Sequence, residues 1–66
     1  MNITVNGDAA RLAEGCTVQG LVDDRLESPR GVAVAVNAEV VPRSAWPSHE
    51  LADGDRVELL TAAQGG

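Results

Sequence analysis

Apolar and polar side chains alternate through Met1-Asn2-Ile3-Thr4-Val5-Asn6, and a period of two places Ile3 and Val5 on one face of a strand. Asn6-Gly7-Asp8 supplies the turn chemistry that ends the strand and predicts a hairpin. Its second strand is expected from Ala9 to Leu12, weak in propensity, with Leu12 as its core anchor. Glu14-Gly15 interrupts the pattern, and the period then changes. Val18, Leu21, Val22 and Leu26 recur at helical spacing, which predicts a helix from Val18 to about Glu27 with Thr17 capping its first turn. Gly20 inside it costs about 1 kcal/mol relative to Ala, so the helix depends on packing of its apolar stripe, and Ser28-Pro29 stops it.

Val32-Ala33-Val34-Ala35-Val36 is the most β-prone run in the chain. Being apolar on both faces, it reads as a central strand with Val on one side and Ala on the other. Asn37-Ala38 turns it into Glu39-Val40-Val41. A two-residue type I′ hairpin needs positive φ at its second position, which Ala38 resists, so another turn type or local strain is expected there. Pro42 and Pro47, with Ser44, Ser48 and His49 nearby, suit an irregular surface connection in which Trp46 folds back over the core edge. After the turn Asp53-Gly54-Asp55, Arg56-Val57-Glu58-Leu59 alternates again with Val57 and Leu59 inward, and Leu60 adds an apolar residue on the opposite face. The order strand, strand, helix, strand, strand, irregular piece, strand describes an α+β fold, one sheet of four to five strands with a helix packed across one face. That domain is expected over residues 1–61, with 62–66 a flexible tail.

Composition narrows the core and the partners. A chain of 66 residues buries only about 60% of the surface its unfolded form exposes, so it is one small domain of marginal stability. Trp46 is the only aromatic residue, and the core must be built from Val, Leu, Ile and Ala. Ten acids against five bases, all Arg, give a net charge of -5, which argues against nucleic-acid or anionic-membrane binding and for a basic partner surface. Cys16 has no second cysteine with which to form an intrachain disulfide, which fits a reducing cytoplasm. No signal-peptide pattern and no run near the roughly 20 apolar residues of a membrane span is seen, so the expected location is cytoplasmic.

Most enzyme chemistry is excluded by what the chain lacks. One Cys and one His, with no C-x-x-C or H-E-x-x-H spacing, make no metal site. Cys16 and His49 as a nucleophile–base pair would want a polar orienter and a deep pocket, and Cys16 reads instead as a half-buried loop residue ahead of the helix. The glycines fall in no phosphate-binding spacing, so the chain binds no nucleotide by itself. Trp46 reads as core, His49 as a solvated loop residue, and Asp23-Asp24, Asp53 and Asp55 as a helix face and a turn before they read as docking charges. Gln64-Gly65-Gly66 differs. Two residues without Cβ beside a terminal carboxylate let the backbone enter a narrow channel and leave the carbonyl carbon unshielded, as reaction at a carboxyl carbon requires. The alternative is a frayed tail that happens to be glycine, and a terminal Gly-Gly taken alone is a moderate signal.

Further motifs combine with that ending. Ile3-Thr4-Val5-Asn6-Gly7, Gly15-Cys16-Thr17-Val18 with Leu21, Val32-Ala33-Val34-Ala35-Val36-Asn37, Glu39-Val40-Val41-Pro42-Arg43-Ser44 with Trp46, Asp53-Gly54-Asp55-Arg56-Val57-Glu58 and Gly65-Gly66 span the whole chain. Together they resemble the sulfur carrier proteins of thiamine biosynthesis, the ThiS family of β-grasp, ubiquitin-like proteins. Ala38 departs from that pattern, standing where the family often has Gly. The resemblance implies a mixed sheet and a protein that is a co-substrate and not an enzyme. A separate ATP-dependent, E1-like activating enzyme would adenylate the Gly66 carboxylate, and sulfur from a donating enzyme would replace AMP to give a thiocarboxylate. Thiazole synthase would then take the sulfur. Gly66 would bear the reacting atom, Gly65 would give access, and Leu60 and Gln64 are the docking candidates. No cofactor would be bound, ATP being consumed by the partner. The small subunit of molybdopterin synthase is the nearest alternative, which the Val-Asn-x-Glu-Val-Val-Pro-Arg-Ser run disfavours. A β-grasp interaction module with an inert tail is the alternative of another class, and its partners would bind equally well without the last two residues.

Overall fold

The last strand in sequence lies in the middle of the sheet. The computed structural model describes residues 1–28 and 30–61. The strands are β1 (Asn2–Val5), β2 (Asp8–Arg11), β3 (Val32–Val36), β4 (Glu39–Val41) and β5 (Arg56–Thr61), in the order β2-β1-β5-β3-β4. β1 and β5 run parallel through Thr4↔Arg56 and Val5↔Val57, whereas β2 on β1, and β4 and β5 on β3, are antiparallel, so the sheet is mixed. A helix α1 (Val18–Arg25) and a 3-10 turn (Arg43–Ala45) complete the elements.

Alternation in each strand selects one face for the core. Ile3 and Val5, Val34 and Val36, Val41, and Val57 and Leu59 are buried there, under Val18, Leu21 and Val22 of α1. Trp46 and Leu51 close the remaining space, and Trp46 is fully enclosed rather than lying over the core edge. Its indole Nε1 donates to the Val41 carbonyl at 2.9 Å, which removes the cost of burying a polar group, and the Arg43 guanidinium stands 5.8 Å from the ring centroid.

The irregular connection also secures the start of the helix. The Thr17 hydroxyl accepts from the Gly20 N–H at 3.1 Å, as expected of a cap. Val18 and Gln19 donate their N–H groups to the carbonyls of His49 and Trp46 at 2.9 and 3.1 Å. The first-turn donors that a helix leaves unpaired are thereby taken up within the protein.

Several boundaries differ from expectation for local reasons. The helix ends at Arg25, and Leu26 is extended (φ -129°, ψ 144°), because Asp23 and Asp24 place negative charge where the helix dipole opposes it. β2 starts at Asp8, since Asn6-Gly7 forms a two-residue turn; Leu12 falls after the strand and is only half-buried against the core. β3 has a neighbour on each side but the central position belongs to β5, and among the described residues no second layer covers its Ala face, with Ala33 exposed. At the β3–β4 turn the strained alternative holds: Asn37 and Ala38 both have positive φ, at 52° and 71°. β5 extends past Leu59 to Thr61. The expected tail, residues 62–66 with Gln64, Gly65 and Gly66, lies outside the described residues, as does Pro29.

Candidate functional site

β5 leads directly toward the Gly-Gly sequence, and its outward side chains are Arg56, Glu58 and Leu60. Leu60 is 65% exposed and pairs with Ala33, while Glu58 pairs with Ala35, which in turn pairs with Val40. Val40 is 78% exposed. Directly opposed residues share a face, so Leu60, Ala33, Ala35 and Val40 form an apolar band on the side of the sheet away from α1, with the charges of Arg56 and Glu58 alongside. Leu60 therefore stands where its break in the alternation placed it. Val40 carries no site signal in the sequence, although the two-residue turn after Val36 commits it to the face of Ala35.

Two asparagines hold β5 in place. At its start Asn37 donates from Nδ2 to Asp55 Oδ1 at 2.9 Å and accepts at Oδ1 from the Arg56 N–H at 2.9 Å, and its own N–H donates to the Arg56 carbonyl at 2.7 Å. Further along, Asn6 accepts at Oδ1 from the Leu59 N–H at 2.8 Å and donates from Nδ2 to the Leu59 carbonyl at 3.1 Å. Both residues have positive φ, which Asn tolerates better than most side chains. Beyond Asn6, between the β1–β2 turn and the end of α1, a depression of about 500 Å³ is lined by Val5, Asn6, Arg25, Leu26, Leu59 and Thr61 among others.

The remaining candidates have structural roles or none in a site. Asp53 accepts from the Asn2 N–H at 2.7 Å, and Asp55 from the Ala52 N–H at 2.7 Å, so both belong to turns. Asp23 accepts from Gln19 at 3.0 Å on the exposed helix face. Cys16 is half-buried, and its Sγ donates to the Thr17 carbonyl at 3.5 Å. The backbone at Val18 meets that of His49, but no hydrogen bond joins the Cys16 thiol to the His49 ring among the described residues. Among the described residues no group of three or more His, Cys, Asp or Glu side chains is placed to hold a metal, and no helix is long and apolar enough to cross a membrane.

Comparison with known proteins accounts for the chain from end to end. The profile of the ThiS family matches residues 3–66. The sulfur carrier protein ThiS of Escherichia coli is 36% identical over 66 residues, 100% of either chain. A protein named thiazole synthase from Paramagnetospirillum magneticum is 32% identical over 66 residues, which are 100% of this chain and 20% of that protein. The crystal structure of the thiamine biosynthesis protein ThiS from Geobacter metallireducens superposes with a TM-score of 0.83 at 36% identity, covering 92% of this chain and 93% of that one. An NMR solution structure of a thiamine biosynthesis protein from the same organism gives 0.77 at 36% identity, with 91% and 81% covered.

Proposed function

The chain belongs to the ThiS family, sulfur carriers of thiamine biosynthesis with the β-grasp fold, and on that premise we propose that Gly66 carries the sulfur as a C-terminal thiocarboxylate. It is a carrier and not a catalyst, so the chemistry belongs to its partners and the chain supplies a carboxyl group on a handle. A carboxylate ionised at neutral pH is a poor electrophile. Attack of the Gly66 carboxylate oxygen on the α-phosphorus of ATP, with loss of pyrophosphate, gives a mixed anhydride in which AMP is a good leaving group. A sulfur nucleophile at the oxidation level of sulfide then adds to the carbonyl carbon and expels AMP. Gly65 leaves the carbon accessible.

The observation that carries this reading is the family match running through residue 66, and so through Gly65-Gly66, behind a strand that ends at Thr61. The partners follow from the steps: an ATP-dependent, E1-like activating enzyme, a sulfur-donating enzyme, and thiazole synthase as acceptor. The acceptor is supported by the thiazole synthase that holds a stretch similar to this whole chain in 20% of its length, since joining two proteins on one polypeptide raises the effective concentration of groups that must meet. We assign docking to Leu60 on the open face of the sheet and to Gln64, which would enter the partner with the glycines.

ATP–pyrophosphate exchange with the activating enzyme, run beside a melting curve, tests the reading. Deleting Gly66, or adding one residue after it, is expected to leave stability within about 0.5 kcal/mol, the usual size of changes away from packing. Exchange should collapse, because the carboxylate moves by roughly 3.5 Å and in-line attack tolerates far less. Gly65→Val should lower exchange by crowding the channel. An extended carrier that supports full exchange would show that the reactive centre lies elsewhere.

A further inference from the structure

We infer that Asn6 is a positioning residue for sulfur loading: its carboxamide takes the place of a missing strand residue beside Leu59 and fixes the direction in which β5 hands the tail to the activating enzyme. The inference rests on the carboxyl-terminal reading above. β1 pairs with β5 only at Thr4↔Arg56 and Val5↔Val57, with backbone bonds from the Thr4 N–H to the Asp55 carbonyl at 3.1 Å and from the Asn6 N–H to the Val57 carbonyl at 2.9 Å. The chain then enters the turn at Asn6 and Gly7, with φ of 51° and 87°, and departs from β5. Leu59 is the next residue of β5 to present its backbone groups to that side. Both are taken by one side chain, its N–H by Asn6 Oδ1 at 2.8 Å and its carbonyl by Asn6 Nδ2 at 3.1 Å. A carboxamide has the donor and acceptor of a peptide group, so Asn6 adds a rung to the ladder after its own backbone has left.

The position of that rung connects it with function. Asn37 secures the first residue of β5, and β3 lines the opposite edge from Val36↔Val57 to Val32↔Thr61. Asn6 therefore completes the support of β5 on the β1 side at its far end. From Thr61, the last residue of β5 paired with β3, to Gly66 is five residues, or about 17 Å when drawn out in a partner's channel at roughly 3.3 Å per residue. Over that length a change of about 5° in the direction of β5 displaces the carboxylate by about 1.5 Å, and misplacement of about 1 Å is enough to cost up to a hundredfold in rate. A turn alone explains an Asn before Gly, but it leaves the amide free to face water. Here the amide is engaged at both ends by the strand that carries the tail.

Asn6→Gly separates the two roles, because Gly accepts the turn's positive φ and has no amide. Saturation kinetics of ATP–pyrophosphate exchange should show kcat lowered about tenfold with the KM for the carrier within about twofold, since the Leu60 and Val40 face is untouched. Amide hydrogen exchange should speed up roughly tenfold at Leu59 while Leu21 and Val34 keep their protection. Asn6→Asp retains the turn and the acceptor for the Leu59 N–H but sets a carboxylate oxygen against the Leu59 carbonyl, so the same loss in kcat is expected, and this variant decides the matter should Asn6→Gly not fold. A folded variant with wild-type kcat overturns the inference, as does a raised KM at unchanged kcat, which would make Asn6 a docking contact. Deletion of Gly66 in the same assay keeps the two readings apart. If the deletion abolishes exchange and the Asn6 variants run at full rate, only the positioning role fails; if the deletion leaves exchange intact, the carboxyl-terminal reading fails.

Discussion

Ala38 holds φ at 71°, a conformation that costs a residue with a Cβ roughly 1–2 kcal/mol. Its neighbour Asn37 sits at 52° but recovers stability through three hydrogen bonds to Asp55 and Arg56. The methyl side chain of Ala38 has no polar atom with which to offset its strain in that way. Ala38→Gly is therefore expected to raise stability by about 1 kcal/mol, the relief of the left-handed conformation being reduced by the greater freedom of Gly in the unfolded chain. A shift in the denaturation midpoint with an unchanged slope would confirm it, and a midpoint at or below wild type would mean the turn relaxes elsewhere. Turn and tail are at opposite ends of β5, so sulfur loading should not change.

At the scale of elements, α1 is the least self-sufficient part. Its eight residues are fewer than the 12–15 or so at which a helix becomes marginal on its own, and it depends on burying Val18, Leu21 and Val22. Gly20 adds to that dependence. A Cβ built there would lie 3.5 Å from Cys16 Sγ and 3.6 Å from Thr17 Oγ1, ordinary contact distances, so Gly20→Ala should stabilise by about 0.5–1 kcal/mol. The melting temperature should rise by roughly 2–8 °C, and a fall would show that the Thr17 cap cannot accommodate the methyl group. The strands were legible because alternation decides a half-buried sheet. The end of the helix was less so, because Leu26 continues the helical spacing while Asp23 and Asp24 work against another turn. The central place of β5 rests on parallel pairing with β1 across some fifty residues, which no local pattern encodes. Asn6 before Gly reads as a turn whether or not its amide reaches Leu59, and that bond depends on a strand far away in sequence. Gly65-Gly66 lies outside the described residues, so the carboxyl chemistry proposed for it rests on residue type and the family match.

For the whole molecule, the proposed partner binding separates into a contribution from charge and one from apolar surface. With ten acids, five arginines and a net charge of -5, long-range attraction to a basic surface should speed encounter with the proposed activating enzyme, whereas the band of Leu60, Ala33, Ala35 and Val40 would act only once the surfaces meet. The two act on different rates. Steering raises the association rate and is screened by salt, while an apolar contact chiefly slows dissociation. Stopped-flow measurements should show association slowing by about tenfold between roughly 0.02 and 0.2 M ionic strength, within the range that steering spans. Leu60→Glu makes the carrier more acidic, so association with a basic surface should be at least as fast at low salt. Dissociation should rise about tenfold, because a carboxylate is then desolvated against an apolar partner. Association rates that do not respond to salt would remove the steering, and an unchanged dissociation rate for Leu60→Glu would move the contact off this face of the sheet.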